Sequence, residues 1–563
     1  MNRRLLFSVL LVLSGTLTLA QDIGQLSAKN PVVASGSIGL RSYYSNGSQS
    51  PLYRANPFGY ALAGQVTLTF FNGISLPFSV AYSNRQASYS QPFNQFGLSP
   101  TYKGFTLHAG YRNLRFSDYT LNGLTMLGGG LEVQKGWLRA GFFYGRMNRV
   151  TFSAEGTPTT FLRTGYAARI GIGTAQNYAD LILMQGHDHE QSLPAYAQYG
   201  LNPARNTAIG FILNRSLGKH LLLIIDAALS VYTGNINAAK IDSTQLQSLP
   251  AVVYKSVAPN ISSRGLLAVS ATLAYSGTGW GIRTGYQRID PGFTTMGMYN
   301  VNNDLEVFSV APHLNLLQNK VSINANLRLQ RDNLLGDKLR QTQRFLPTAT
   351  LTYSPTARFG VSANLTYSTF NQTPGIKQTL LTPGQAAAQL MNQANYSIMI
   401  MPRYSIIGDD RTHTLMLSAG TNQLVDNSGD ADLKANTEYS GLNGLLNYSF
   451  SLDRQFLSVD AGVNYFTLTN LNGTTNNLGF NLGATKGFLA NKLQTSLNAG
   501  YNLGQDLNAI NLTASGRMQP NRHHRFGLTV LQNQSAQTGG SVSRNFSEFR
   551  GTIDYTYLFL TKR

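Results

Sequence analysis

From Val321 onward apolar side chains occupy every second position: Val321, Ile323, Ala325, Leu327 and Leu329 alternate with Ser322, Asn324, Asn326, Arg328 and Gln330. The same pattern runs through Leu493, Thr495, Leu497, Ala499 and Tyr501 against Gln494, Ser496, Asn498, Gly500 and Asn502, and again over residues 457–465 and 359–367. A period of two sends alternate side chains to opposite faces of an extended strand. No consistent apolar stripe appears at i+3 and i+4, so amphipathic helices are disfavoured.

Polar breaks separate these segments, and they come in two alternating lengths. Short ones such as Phe71-Asn72-Gly73-Ile74, Tyr102-Lys103-Gly104, Leu217-Gly218-Lys219 and Gln318-Asn319-Lys320 carry residues that tight hairpins use. Twelve short turns alternate with thirteen longer loops, the largest near 234–263 and 370–393, which makes 25 connections and 26 strands. An even strand number with both ends on the short-turn side is the bacterial outer-membrane arrangement. The expected fold is therefore all-β: a transmembrane antiparallel up-and-down β-barrel of about 26 strands, with short periplasmic turns and long extracellular loops.

Composition agrees. Charged residues make up 12% of the 563 residues, about half the usual ~25%. The mean hydropathy of −0.14 is too polar for a helical bundle in lipid. Beyond the first twenty residues no stretch approaches the ~20 apolar residues of a membrane helix, and the longest apolar run, residues 221–229, is broken by Asp226. At the N-terminus Arg3 and Arg4 precede an apolar segment over 5–19 that ends at Ala20. This reads as an export signal over 1–20, followed by a short periplasmic segment over 21–32 and a barrel over 33–563 in the cell outer membrane. The dozen residues before the first strand leave no room for the plug of a TonB-dependent receptor. There is no cysteine, hence no disulfide or lipid attachment. The last segment, Gly551, Ile553, Tyr555, Tyr557 and Phe559, resembles the C-terminal recognition strand of outer-membrane proteins, although the chain ends in Thr561-Lys562-Arg563.

Residues 98–149 contain LSPTYKGFTLHAGYRNLRFSDYTLNG, then GGGLE, then FFYGRMNR. This stretch resembles a family of large, mostly uncharacterised outer-membrane proteins of Bacteroidota. The resemblance implies a surface barrel and carries over no substrate or catalytic residue.

The chain is expected not to be an enzyme and to need no cofactor. His108 and His313 stand on strands with no evident serine partner, and His108 shares lumen parity with Thr106, Gly110 and Arg112. Two loop clusters offer metal-ligand types. One is His187-Asp188-His189-Glu190; the other, around Asp426, Asp430 and Asp432, lacks the spacing and terminal Glu of an EF-hand loop. The charge balance says more: 44 Lys+Arg against 25 Asp+Glu, a net +19. Nucleic acid is excluded as a partner of a surface barrel. Outer-membrane lipid and lipopolysaccharide are expected partners, with Arg146 and Arg149 suited to lipopolysaccharide phosphates after the apolar face Leu138, Ala140, Phe142 and Tyr144. Arginines at strand centres should face the lumen, because the lipid face costs ~2–4 kcal/mol at the midplane. Arg112, Arg139, Arg169, Arg283, Arg328 and Arg403 have that parity. They either form an anion-favouring wall or pair with lumen carboxylates such as Asp460 and Asp554.

The two halves of the lumen differ in prospect. The C-terminal half presents Asn, Ser, Thr and Gly, among them Asn364, Asn443, Asn498, Asn511 and Thr513. The N-terminal half is apolar on both faces at 182–184 and 221–225, as expected where an inward loop or another chain packs inside. Two functions follow. One is a large, gated or occupied transport pore that favours anions; an open lumen of this size would leak, since porins conduct with only 16–18 strands. The other is the barrel of a secretion or surface-display complex holding a secreted protein or lipoprotein. Inward loops favour the first and an empty wide lumen favours the second.

Overall fold

The computed structural model describes residues 32–48, 57–71, 74–84, 95–152, 159–241, 257–375, 390–429, 431–505, 507–537 and 544–559. The strands pair antiparallel in chain order, from β1 (Val32–Gly47) to β28 (Arg544–Phe559), apart from two pairs of short segments that share a place in the wall. β28 then pairs with β1, Gly36 opposite Phe559 and Gly47 opposite Glu548, and closes the sheet on itself. Closure leaves no edge strand with an unpaired row of backbone groups.

The 28 segments make 26 staves, because two staves are each split. β4 (Gln95–Leu98) and β5 (Thr101–Tyr102) both lie between β3 (Ile74–Ser83) and β6 (Phe105–Arg115). β17 (Arg340–Phe345) and β18 (Thr348–Tyr353) both lie between β16 (Val321–Arg331) and β19 (Phe359–Pro374). Both splits fall at a proline, Pro100 and Pro347. A proline has no N–H to donate to the ladder, yet its carbonyl still accepts: Leu107 and Tyr367 donate to Pro100 and Pro347 at 2.9 and 3.0 Å.

The strand parity read from the sequence holds. Leu327, Leu329, Leu417, Leu446, Leu512 and Ile553 are exposed on the outer face, where an apolar belt is what hydrocarbon requires. Aromatic rings gather at the short-turn end. Tyr557 lies between His523 and Phe559, Trp280 is 4.7 Å from Tyr275, and Trp137 is exposed in its turn. This is the position of an interfacial girdle. No helix among the described residues is long and apolar enough to cross a membrane.

Two expectations need correction. The long-side connections are not uniformly long: β23 (Leu457–Asn470) and β24 (Gly473–Phe488) are joined through Leu471 and Asn472 alone. The loop expected over 370–393 is also shorter, since β19 runs to Pro374 and β20 begins at Asn392. The proposed signal and the periplasmic segment up to residue 31 lie outside the described residues, and Val32, expected in that segment, already belongs to β1.

Candidate functional site

Two extracellular connections fold into the barrel against its N-terminal wall. The first, residues 116–121, joins β6 to β7 (Asn122–Lys135); the second, residues 290–304, joins β14 (Trp280–Ile289) to β15 (Leu305–Leu316). Lumen-facing Phe143, Ala167, Ile182, Met184, Ala208 and Ile212 bury themselves against Phe116, Leu121 and Met296. Tyr119 and Phe293 pack edge-to-face at 6.4 Å above Ala228 and Ala268. The doubly apolar strands of the sequence thus cover their inner face with the chain's own loops.

Polar wall residues fix those loops in place. Asp226, the residue that interrupts the longest apolar run, accepts Ser117 Oγ at 2.7 Å and the Asp118 N–H at 2.8 Å. Asn206 accepts the Met296 N–H at 2.9 Å and donates to Ser230 Oγ at 2.7 Å, while Ser230 donates to the Thr294 carbonyl at 2.6 Å. Gln287 donates to the Tyr119 hydroxyl at 2.9 Å. The two loops also bind each other, Thr295 Oγ1 to the Thr120 carbonyl and the Asn122 N–H to the Gly297 carbonyl. Buried polar groups that find partners specify one arrangement, although the Thr120 hydroxyl in the first loop is buried without one among the described residues.

Next to this plug runs a strip of paired charge. Arg139 donates to both carboxylate oxygens of Asp180 at 2.8 and 2.9 Å and lies 4.0 Å from the Tyr178 ring centre. Arg169 binds Glu132 at 2.7 Å and lies over Phe116. Two of the six lumen arginines are therefore neutralised, by Glu132 and Asp180 rather than by Asp460 or Asp554; Asp554 binds Arg41 instead. The other four differ. Arg112 donates to the Leu98 carbonyl and Ser79 Oγ and leaves Nη2 buried without a partner; it lies across Gly97, where a Cβ would sit 2.7 Å from the guanidinium. Arg328 reaches Gln330 at 3.4 Å. Arg283 and Arg403 are exposed to the lumen with no ion pair among the described residues.

His108 does have a serine partner. Its Nδ1 is 2.8 Å from Ser99 Oγ and its Nε2 is 3.0 Å from Glu132. The sequence hid Ser99 because it sits in the proline break of a stave rather than at a ladder position. The Ser99 N–H is committed to the Pro77 carbonyl, and Glu132 also carries Arg169. The row is a polar ladder tying the break between β4 and β5 to β6, β7 and β9 (Arg163–Gly173). His313 lies across Gly281 with no hydrogen-bond partner among the described residues.

Among the described residues no group of three candidate metal ligands occurs, although the His187 and His189 rings lie 4.5 Å apart. Asp188 binds Arg163 at 2.7 and 3.0 Å, His189 contacts Thr164 Oγ1 and Glu190 accepts from Tyr196 and Asn237. Asp426 is buried and accepts from Gln393, the Ser428 N–H and Thr437. Its oxygens are used in closing its own loop. Asp432 is exposed in the short helix Ala431–Thr437, and Asp430 lies outside the described residues. Arg146 is on the outer face near the extracellular rim, donating to the Tyr111 hydroxyl at 3.0 Å, and Arg149 follows the end of β8 (Leu138–Asn148).

Among the described residues the opposite wall is uncovered and hydrophilic. Amide side chains lie over glycines of neighbouring strands: Asn447 and Asn481 beside Gly462, and Asn464 and Asn502 beside Gly479. No protein-family model matches the chain, and no curated protein matches it. Among solved structures it is similar to the P pilus usher (PapC) translocation pore, with a TM-score of 0.36 and 11% identity over 93% of this chain and 99% of that one. It is also similar to OccK10 (OpdN) of Pseudomonas aeruginosa, with a TM-score of 0.34 and 11% identity over 65% and 97%. For OprD of the same organism the values are 0.29 and 8% over 94% and 97%. These are likenesses of barrel architecture, and what the lumen does rests on the geometry of this chain.

Proposed function

We propose that this protein is a transport pore of the bacterial outer membrane, narrowed by its own two inward loops and passing polar solutes, anions in preference, along the C-terminal wall. The carrying observation is the uneven lumen: a loop-filled, charge-paired N-terminal side facing an open wall of amides and hydroxyls. Self-occupancy supports a constricted pore over a barrel awaiting a protein partner. The anion preference is supported by Arg283 and Arg403, exposed on different strands inside one low-dielectric enclosure that focuses their field. Action is by passage, without a catalytic step or cofactor. Arg146 and Arg149 stand where lipopolysaccharide phosphates would meet the rim.

The test is reversal potential in planar bilayers under a KCl gradient. Anion selectivity that weakens when Arg283 and Arg403 are changed to Gln is expected. Cation selectivity, or no change in the double variant, contradicts the preference.

A further inference from the structure

A second group of arginines gathers far from the plug, at the short-turn end of the C-terminal wall. Arg517 is one residue from the end of β26 (Leu507–Met518), and Arg525 is one residue into β27 (His524–Gln537). With Arg41 of β1 they line a cleft of about 430 Å³. That volume lies in the range of small-molecule sites, ~300–1,000 Å³. Arg517 and Arg525 are exposed and have no ion pair among the described residues. Arg41 gives only its Nε to Asp554, and its side chain keeps 65% of its exposure. Three guanidinium groups thus meet one carboxylate around one opening. Between them Ser496 and Ser515 share a hydrogen bond of 2.6 Å on the floor of the cleft.

We infer that this cleft is a binding site for a small hydroxylated organic anion, a phosphorylated or carboxylated sugar, at the periplasmic mouth of the lumen. Guanidinium groups bind phosphate and carboxylate through paired donors. The serines, with Thr529 and Thr556 beside them, supply donors and acceptors for sugar hydroxyls. Little apolar surface is offered, so a neutral apolar solute gains nothing there. The inference rests on the transport reading for its purpose but not for its test.

Binding is measured by calorimetry on the full chain in detergent, with glucose 6-phosphate, gluconate and glucose as probes, so no conductance is required. Glucose 6-phosphate or gluconate should bind while glucose does not, the first marking a phosphate site and the second a carboxylate site. The double variant R517Q/R525Q should bind at least tenfold more weakly, and D554N, which frees Arg41, more tightly. Both keep a charged or polar side chain facing water, and heat-modified migration on gels checks the barrel. No binding to either anion, equal binding of glucose, or unchanged affinity in R517Q/R525Q overturns the site. Binding that persists in a barrel silent in bilayers upholds the site and counts against the pore.

Discussion

Arg139 and Arg283 share a parity and differ in every consequence. Arg139 is 6% exposed against an Asp180 that is 1% exposed; Arg283 stands in the open lumen. Removing one partner of a buried pair strands the other charge and costs about 3–5 kcal/mol, whereas an unpaired exposed arginine holds nothing. R139Q should therefore lower the denaturation midpoint of the barrel clearly, while R283Q leaves it unchanged and alters only ion selectivity; chemical denaturation followed by gel mobility distinguishes them. The parity of both residues was legible in the sequence. The partner of Arg139 was not, because Asp180 stands two strands away, and a period of two does not reveal the stagger that brings them level. Asp304 shows a similar local tie outside the membrane. Burial disfavours its charge, but Lys338 and the N–H groups of Leu334 and Asn333 outweigh that and hold its carboxyl below the usual value. A lowered folded value contributes stability that is complete above the ordinary carboxyl pKa of ~3.9 and is lost as pH falls through the folded value. Limited proteolysis of loop 332–339 should stay slow at neutral and mildly acidic pH and accelerate only below that range. In D304N it should be fast throughout.

At the scale of elements, the sequence announced a filled lumen without naming what fills it. Apolar residues on both faces at 182–184 and 221–225 demanded a cover, and Asp226 in that run marked an anchor. The cover itself, Phe-Ser-Asp-Tyr-Thr-Leu at 116–121, reads locally as a polar turn, and only the long-range contacts with residues 290–304 make it a plug. Gly186 faces Met296 across this contact, with a Cβ at Gly186 lying 3.2 Å from that of Met296. That is slightly under the ~3.5–4.5 Å of a disulfide, and a loop can give a few tenths of an ångström. In this cysteine-free chain G186C/M296C should oxidise to one intramolecular disulfide, with single-channel conductance nearly unchanged because the loop already rests there. Replacing residues 292–300 by a Gly-Ser linker should raise conductance severalfold. A disulfide that fails to form, or a linker variant that conducts like the parent, speaks against a fixed plug.

At the scale of the whole molecule, the alternation of turn lengths was enough to give 26 staves, since each hairpin turn must reverse the chain and leaves its Gly, Asn or Asp behind. The two proline breaks were not legible as splits, because Pro100 and Pro347 sit where the ladder bonds on either side still close. What emerges is an asymmetric barrel: wide by strand count, filled on one side, lined by amides and hydroxyls on the other. The most direct test uses the absence of native cysteine. Ala208 lies fully buried beneath the plug and Asn498 is exposed on the opposite wall. Single cysteines at the two positions, treated in planar bilayers with a small anionic thiol reagent, should behave oppositely. N498C should react quickly and lose current in discrete steps, and A208C should keep both its thiol and its current. Comparable reaction at A208C, or labelling of N498C with no change in current, would contradict a pore that runs along the C-terminal wall past a loop-filled N-terminal side.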